Sequence, residues 1–159
     1  MAADAKVLDP ARRSRLLTAL YIAQEQEGYL TPEALKRVAE RLDVPEAEVY
    51  STASFYTLFR TEPVGQYVIQ VCTGLSCYLV DGAERLVDYL EQKLGIRAGE
   101  TTSDGMFTLE TVQCLASCGT APAMRVNDEL YENLTVEKVD MLIDQLKERA
   151  ERWAALNRS

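Results

Sequence analysis

The chemistry of this chain rests on four cysteines, set in two close pairs, Cys72-x4-Cys77 and Cys114-x3-Cys118. A [2Fe–2S] cluster takes two thiolates on each iron, and structural zinc accepts four at comparable spacings. Spacing alone favours the cluster modestly and leaves both readings open, because a donor set by itself often does not name the metal. A pair of disulfides is disfavoured in a reducing cell. Thiol exchange of the thioredoxin type favours Cys-x-x-Cys, a spacing that neither pair has. The chain has no histidine, which removes Ser/His and Cys/His catalysis, histidine-ligated zinc, Rieske-type clusters and histidine-held haem. It has no Gly-rich phosphate loop of the Rossmann or Walker type either, so a dinucleotide or nucleoside triphosphate is not an expected ligand.

The residues around the pairs suit an anionic centre. Thr73, Gly74, Leu75 and Ser76 fill the first loop, and Leu115, Ala116 and Ser117 the second, with Gly119 just beyond. Small residues let backbone N–H groups approach thiolate sulfurs and sulfides. No Lys or Arg lies between Thr61 and Glu84, or between Gln113 and Met124. An anionic cluster with no cation nearby in sequence is expected to have a low reduction potential, because reduction adds a further negative charge.

The elements that must carry these loops divide near Pro63-Val64-Gly65, giving an N-terminal helical subdomain over 1–63 and a cysteine-bearing domain over 64–159. In the first part, Asp9-Pro10 has the grammar of a helix start. Leu16, Leu17, Leu20 and Ala23 then recur at helical spacing up to Gly28. Thr31-Pro32-Glu33 opens a second helix with the stripe Leu35, Val38, Ala39 and Leu42, and Pro45 opens a third with Val49, Thr52, Ala53 and Tyr56. The short Asp43-Val44 link resembles a helix-turn-helix. Glu40, Asp43, Glu46 and Glu48 around it make a small bundle the better reading than a DNA-binding unit. In the second part, alternation over 66–72 predicts a strand ending at Cys72, and Met106 to Gln113 a second strand ending at Cys114, with a bulge past Leu109. Asp81-Gly82-Ala83-Glu84 resembles a capping box before the stripe Ala83, Leu86, Val87, Leu90 and Leu94. A hairpin over 123–132 and a last helix capped by Thr135, with Val139, Leu142, Ile143, Leu146 and Trp153 on one face, complete the order β-α-β-β-α. The expected fold class is α+β: a helical bundle, then a thioredoxin-like domain whose four-stranded mixed sheet carries helices on one face.

The net charge of −8 repels nucleic acid and anionic membrane, so neither is an expected partner. No run of about 18 apolar residues exists to cross a bilayer, and Met1 to Lys6, with Asp4 inside it, lacks the apolar core of a secretory signal. The expected location is the cytoplasm.

Four segments together resemble one family: Gln26-Glu27-Gly28-Tyr29-Leu30, Ala53-Ser54-Phe55-Tyr56, Val71-Cys72-x4-Cys77, and Val112-Gln113-Cys114-Leu115-Ala116-Ser117-Cys118-Gly119-x2-Pro122. The resemblance is to the 24 kDa, or E-type, subunit family of NADH:quinone oxidoreductase (complex I), and runs from about residue 10 to about 150. It implies a thioredoxin-like ferredoxin domain holding one [2Fe–2S] cluster on Cys72, Cys77, Cys114 and Cys118. Gly74, Ser76, Ser117 and Gly119 would then lie around the ligands. It implies a flavoprotein partner that carries FMN and the NADH site, no catalytic residue in this chain, and a place in the peripheral arm of a membrane-associated complex. Equivalent subunits of NAD-linked hydrogenases and formate dehydrogenases resemble it as well, and nothing in the chain separates them. Phe55 and Tyr56 are read as packing in the helical core at least as readily as holding the partner. Trp153 is read as partly packed at the end of the last helix.

Overall fold

A computed structural model of the chain describes residues 10–80 and 82–156. The chain forms two compact units, Met1–Val64 and Gly65–Ser159.

The first unit holds α1 (Pro10–Arg13), α2 (Leu16–Glu27), α3 (Pro32–Leu42) and α4 (Glu46–Phe55). The continuous helix expected from Pro10 is interrupted before Leu16. There the Ser14 hydroxyl donates to the Ala11 carbonyl at 2.9 Å, a local bond that competes with the helical ladder. Asp9 lies outside the described residues. Gly28 ends α2 with φ +80°, its N–H donating to the Gln24 carbonyl. Thr31 caps α3 as its spacing predicts, its hydroxyl accepting from the Ala34 N–H at 3.0 Å. Leu16, Leu20, Leu30, Leu35, Val38, Val49 and Phe59 form the core of this unit, whereas Leu17 is exposed.

The expectation that Phe55 and Tyr56 pack in this core is overturned. Phe55 is 79% exposed and Tyr56 41%. The helix ends at Phe55 and the backbone turns extended at Tyr56, so the buried stripe of Val49 and Ala53 does not continue. Phe59 is the aromatic that enters the core, with Tyr21 and Tyr56 edge-on to it.

The second unit runs β1 (Tyr67–Cys72), α5 (Leu75–Leu79), α6 (Ala83–Leu94), β2 (Phe107–Val112), β3 (Met124–Val126), β4 (Glu129–Tyr131) and α7 (Val136–Leu156). The sheet order is β2-β1-β3-β4. β1 and β2 are parallel, and the other two pairings are antiparallel. Tyr67, Ile69 and Val71 alternate onto one face with Phe107, Leu109, Met124 and Val126. There they bury against Leu86 and Leu90 of α6 and Val139, Ile143, Leu146 and Ala150 of α7. This is the mixed sheet with helices on one face that the order of elements predicts. On the other face Gln70, almost fully buried, donates to Glu110 at 2.8 Å and accepts from Arg125 at 2.9 Å.

Three local expectations change. The β1–β2 register runs unbroken from Tyr67↔Phe107 to Cys72↔Val112, so no bulge interrupts it. The alternation fades past Leu109 because the core face ends there and Thr111 is exposed. At the start of α6 the N-cap is Gly82, with no side-chain hydrogen bond, rather than a capping box; Asp81 lies outside the described residues. Thr135 does cap α7, accepting from the Lys138 N–H at 3.3 Å. The Trp153 side chain lies outside the described residues.

Candidate metal centre at the strand ends

Parallel pairing decides where the cysteines meet. β1 and β2 run in the same direction and in register to Cys72↔Val112, so the loops leaving them emerge at the same end of the sheet. Cys72 is the last residue of β1, and Cys114 follows β2 by two positions. The Thr73 N–H donates to the Val112 carbonyl at 2.9 Å, and the Cys72 N–H to the Ala123 carbonyl at 3.0 Å. The first loop is thereby tied both to the end of β2 and to the segment entering β3.

Cys77 sits within α5, a short helix that periodicity does not predict between the first two cysteines. The residues Leu75 to Leu79 carry no cap or long apolar stripe to announce it. One turn of helix returns Cys77 toward Cys72. The thiols lie close enough to influence one another: Cys77 and Cys114 lower the Cys72 thiol, and Cys72 and Cys118 raise the Cys77 thiol. All four cysteines are free. The first pair is buried among Ala83, Leu115 and Ala121, while Cys114 and Cys118 are exposed. Among the described residues, no three of His, Cys, Asp and Glu converge on one point as ligands of a single ion would. A binuclear cluster divides its ligands between two irons and asks instead for two thiol pairs side by side.

The donor set fits such a cluster, and the backbone around it does as well. Burial pushes the Cys72 thiol up, but the N–H groups of Gly74 and Leu115, with the Cys77 and Cys114 side chains, bring it below its ordinary value. Burial pushes the Cys77 thiol up; the Ala123 backbone opposes this, and the neighbouring sulfur of Cys72 and the charge of Cys118 add to it. The Ala116 N–H donates to Cys114 Sγ at 3.3 Å, from a residue held at φ +59°. Gly74 is needed for a close approach. A Cβ there would lie 2.6 Å from the Gln113 carbonyl oxygen and 3.5 Å from Cys72 Sγ. Such a cradle of N–H donors around converging thiolates is what a cluster's negative charge requires.

Residues 4–147 match the family described as thioredoxin-like [2Fe-2S] ferredoxin. The chain belongs to this family. Its cofactor is accordingly a [2Fe–2S] cluster, which sets structural zinc aside. The chain is 46% identical over 150 residues to an E-type subunit of the NADH-quinone oxidoreductase of Rhizobium meliloti, covering 94% of this chain and 88% of that protein. It is 42% identical over 144 residues to NADH-quinone oxidoreductase subunit 2 of Thermus thermophilus, covering 90% and 79%. The E-type subunit of the Mycobacterium tuberculosis NADH-quinone oxidoreductase is also 42% identical, over 138 residues; the match covers 87% of this chain and 54% of that longer protein. Among solved structures, an NAD+-reducing [NiFe]-hydrogenase in its air-oxidised state superposes with a TM-score of 0.73 at 24% identity, over 82% of this chain and 23% of the other. That likeness is one of fold alone. No described helix is long and apolar enough to cross a membrane.

Sequence reasoning missed Glu132. Its carboxylate accepts from the Ser117 and Thr120 hydroxyls on either side of Cys118, and these two bonds hold its pKa below the usual carboxylate range. No local pattern announces a contact that depends on the hairpin placing residue 132 beside residue 117.

Proposed function

We propose that this chain is an electron-transfer subunit of an NADH:quinone oxidoreductase, holding one [2Fe–2S] cluster on Cys72, Cys77, Cys114 and Cys118. The observation that carries the reading is the meeting of two thiol pairs at the common end of two parallel strands, one pair buried and one exposed. When bound, the cluster supplies a one-electron couple. The protein supplies the rest. Cys72 and Cys77 anchor from the buried side, and the N–H groups of Gly74, Leu115, Ala116 and Ala123 face thiolate charge. Leu115, Ala121 and Ala83 exclude water from the buried pair. No side chain is asked to move a proton.

The partner that fits is a flavoprotein subunit carrying FMN and the NADH site, which would supply this cluster with single electrons. Two features support such docking in the peripheral arm of the complex. Cys114 and Cys118 are exposed, and Leu75, Tyr78, Leu79 and Val80 beside them present a largely exposed apolar row. The NADH-quinone oxidoreductase relatives at 42–46% identity favour this host over a hydrogenase, for which the likeness is one of fold.

The test is EPR of anaerobically purified protein. A silent oxidised form and a rhombic S = 1/2 signal after dithionite are expected. Substituting serine for any one of the four cysteines should abolish or reshape that signal. Folded, air-free protein that carries zinc and no iron would overturn the reading. Wild-type signals in a serine variant would remove that cysteine from the ligand set.

A further inference from the structure

The second cysteine loop is not free at its far end. Glu132 lies 14 residues beyond Cys118, just after β4, and one of its carboxylate oxygens accepts from both Ser117 and Thr120. Those two hydroxyls are themselves 2.7 Å apart and partly buried. Backbone bonds continue the clamp: the Asn133 N–H donates to the Thr120 carbonyl at 2.7 Å, and the Leu134 N–H to the Pro122 carbonyl at 3.1 Å. The segment that leads into α7 is thus fastened along the whole turn that carries Cys118. Among the described residues, Glu132 has no ion-pair partner.

Resting on the cluster site proposed above, we infer that Glu132 is a positioning residue for the cluster: it holds the Cys118 turn in its binding shape and biases the one-electron couple toward the oxidised state. The two roles separate chemically. Both hydroxyls bond to one oxygen, so a neutral carbonyl would satisfy them equally well. The clamp needs an acceptor and does not need a charge. The charge is additional, and a fixed anion beside the ligand loop opposes the entry of an electron. Because Glu132 is exposed, salt screens this effect.

Two variants of the full chain separate the roles. Glu132→Gln keeps the acceptor and removes the charge. It should retain wild-type iron content and wild-type EPR g-values, while its midpoint moves positive. The reduction equilibrium should change threefold to tenfold, tenfold being about 59 mV for a one-electron couple, and the shift should shrink at high salt. Glu132→Ala removes the clamp, and it should release iron to a chelator several-fold faster and alter the g-values. The glutamine variant should restore both to wild type. A glutamine variant with an unchanged midpoint, or an alanine variant with wild-type iron release and g-values, overturns the inference. Wild-type protein without a [2Fe–2S] signal would overturn the site itself, which is a separate failure.

Discussion

The thiols of the proposed site live in two environments. Cys72 and Cys77 are buried, and Cys114 and Cys118 are exposed. Gly74 sits between the two loops, and its missing side chain is what allows their approach. Gly74→Ala would set a methyl group 2.6 Å from the Gln113 carbonyl oxygen. Backbone cannot yield there without separating Cys72 from Cys114. Overpacking of this kind costs about 1–3 kcal/mol, and we expect a lower melting temperature together with reduced iron content on anaerobic reconstitution. A variant with full iron content would show that the loops need no such contact. Gly82 is similarly constrained at the foot of α6, since a Cβ there would fall 2.0 Å from Pro122 Cγ.

Among the elements, α6 and α7 hold the site by covering the sheet that positions it. Their apolar faces meet over Ile69, Val71 and Leu109, and their solvent edges are joined by ions. Asp140 of α7 accepts from Lys93 and Tyr89 of α6, and Lys93 also reaches Asp144 at 2.8 Å. The Lys93 and Tyr89 bonds hold the Asp140 carboxyl below its ordinary value. A carboxylate lowered by folding contributes stability that is present above its unfolded pKa, about 3.9, and lost as the pH falls through the lower folded value. The destabilisation caused by Asp140→Asn should therefore be largest near neutral pH and should shrink as the pH drops from about 5 toward about 3. Thermal melts across that range check it, and a pH-independent difference would mean that the ion pair contributes nothing. The sign reverses for Lys93, whose pKa is raised by Asp140 and then Asp144: its contribution is present at neutral pH and lost only in strong alkali.

For the whole molecule, the consequence is assembly. The proposed flavoprotein partner would meet this acidic chain, whose cysteine loops carry no Lys or Arg, through apolar contact at this end, where α5 offers Leu75 and Leu79 at more than two-thirds exposure. Leu79→Asp should leave iron content and the EPR signal intact while lowering co-purification with the FMN-bearing subunit at least tenfold, a cost of about 1.4 kcal/mol in the interface. Undiminished co-purification would move the contact elsewhere on the chain. The exposed Phe55 and Tyr56 of the helical unit are the second candidate for such contact, and Phe55→Ser in the same assay compares the two surfaces.

Much of this was legible in the chain. The cysteine pairs, their positions at strand ends, the caps at Thr31 and Thr135, and the apolar stripes of α3, α6 and α7 follow from local chemistry. Periodicity and capping are written within a few residues of where they act. Other features were decided only by the tertiary structure. The single turn of helix that returns Cys77 to Cys72 is too short to carry a periodic signal. The burial of one thiol pair and the exposure of the other depend on what Ala83, Leu115 and Ala121 cover once the loops converge. Phe55 belongs to a helix by sequence, yet the helix ends there and its ring faces solvent. Glu132 reaches Ser117 only because a hairpin folds back between them, a contact set by strand register and turn geometry rather than by any pattern along the chain.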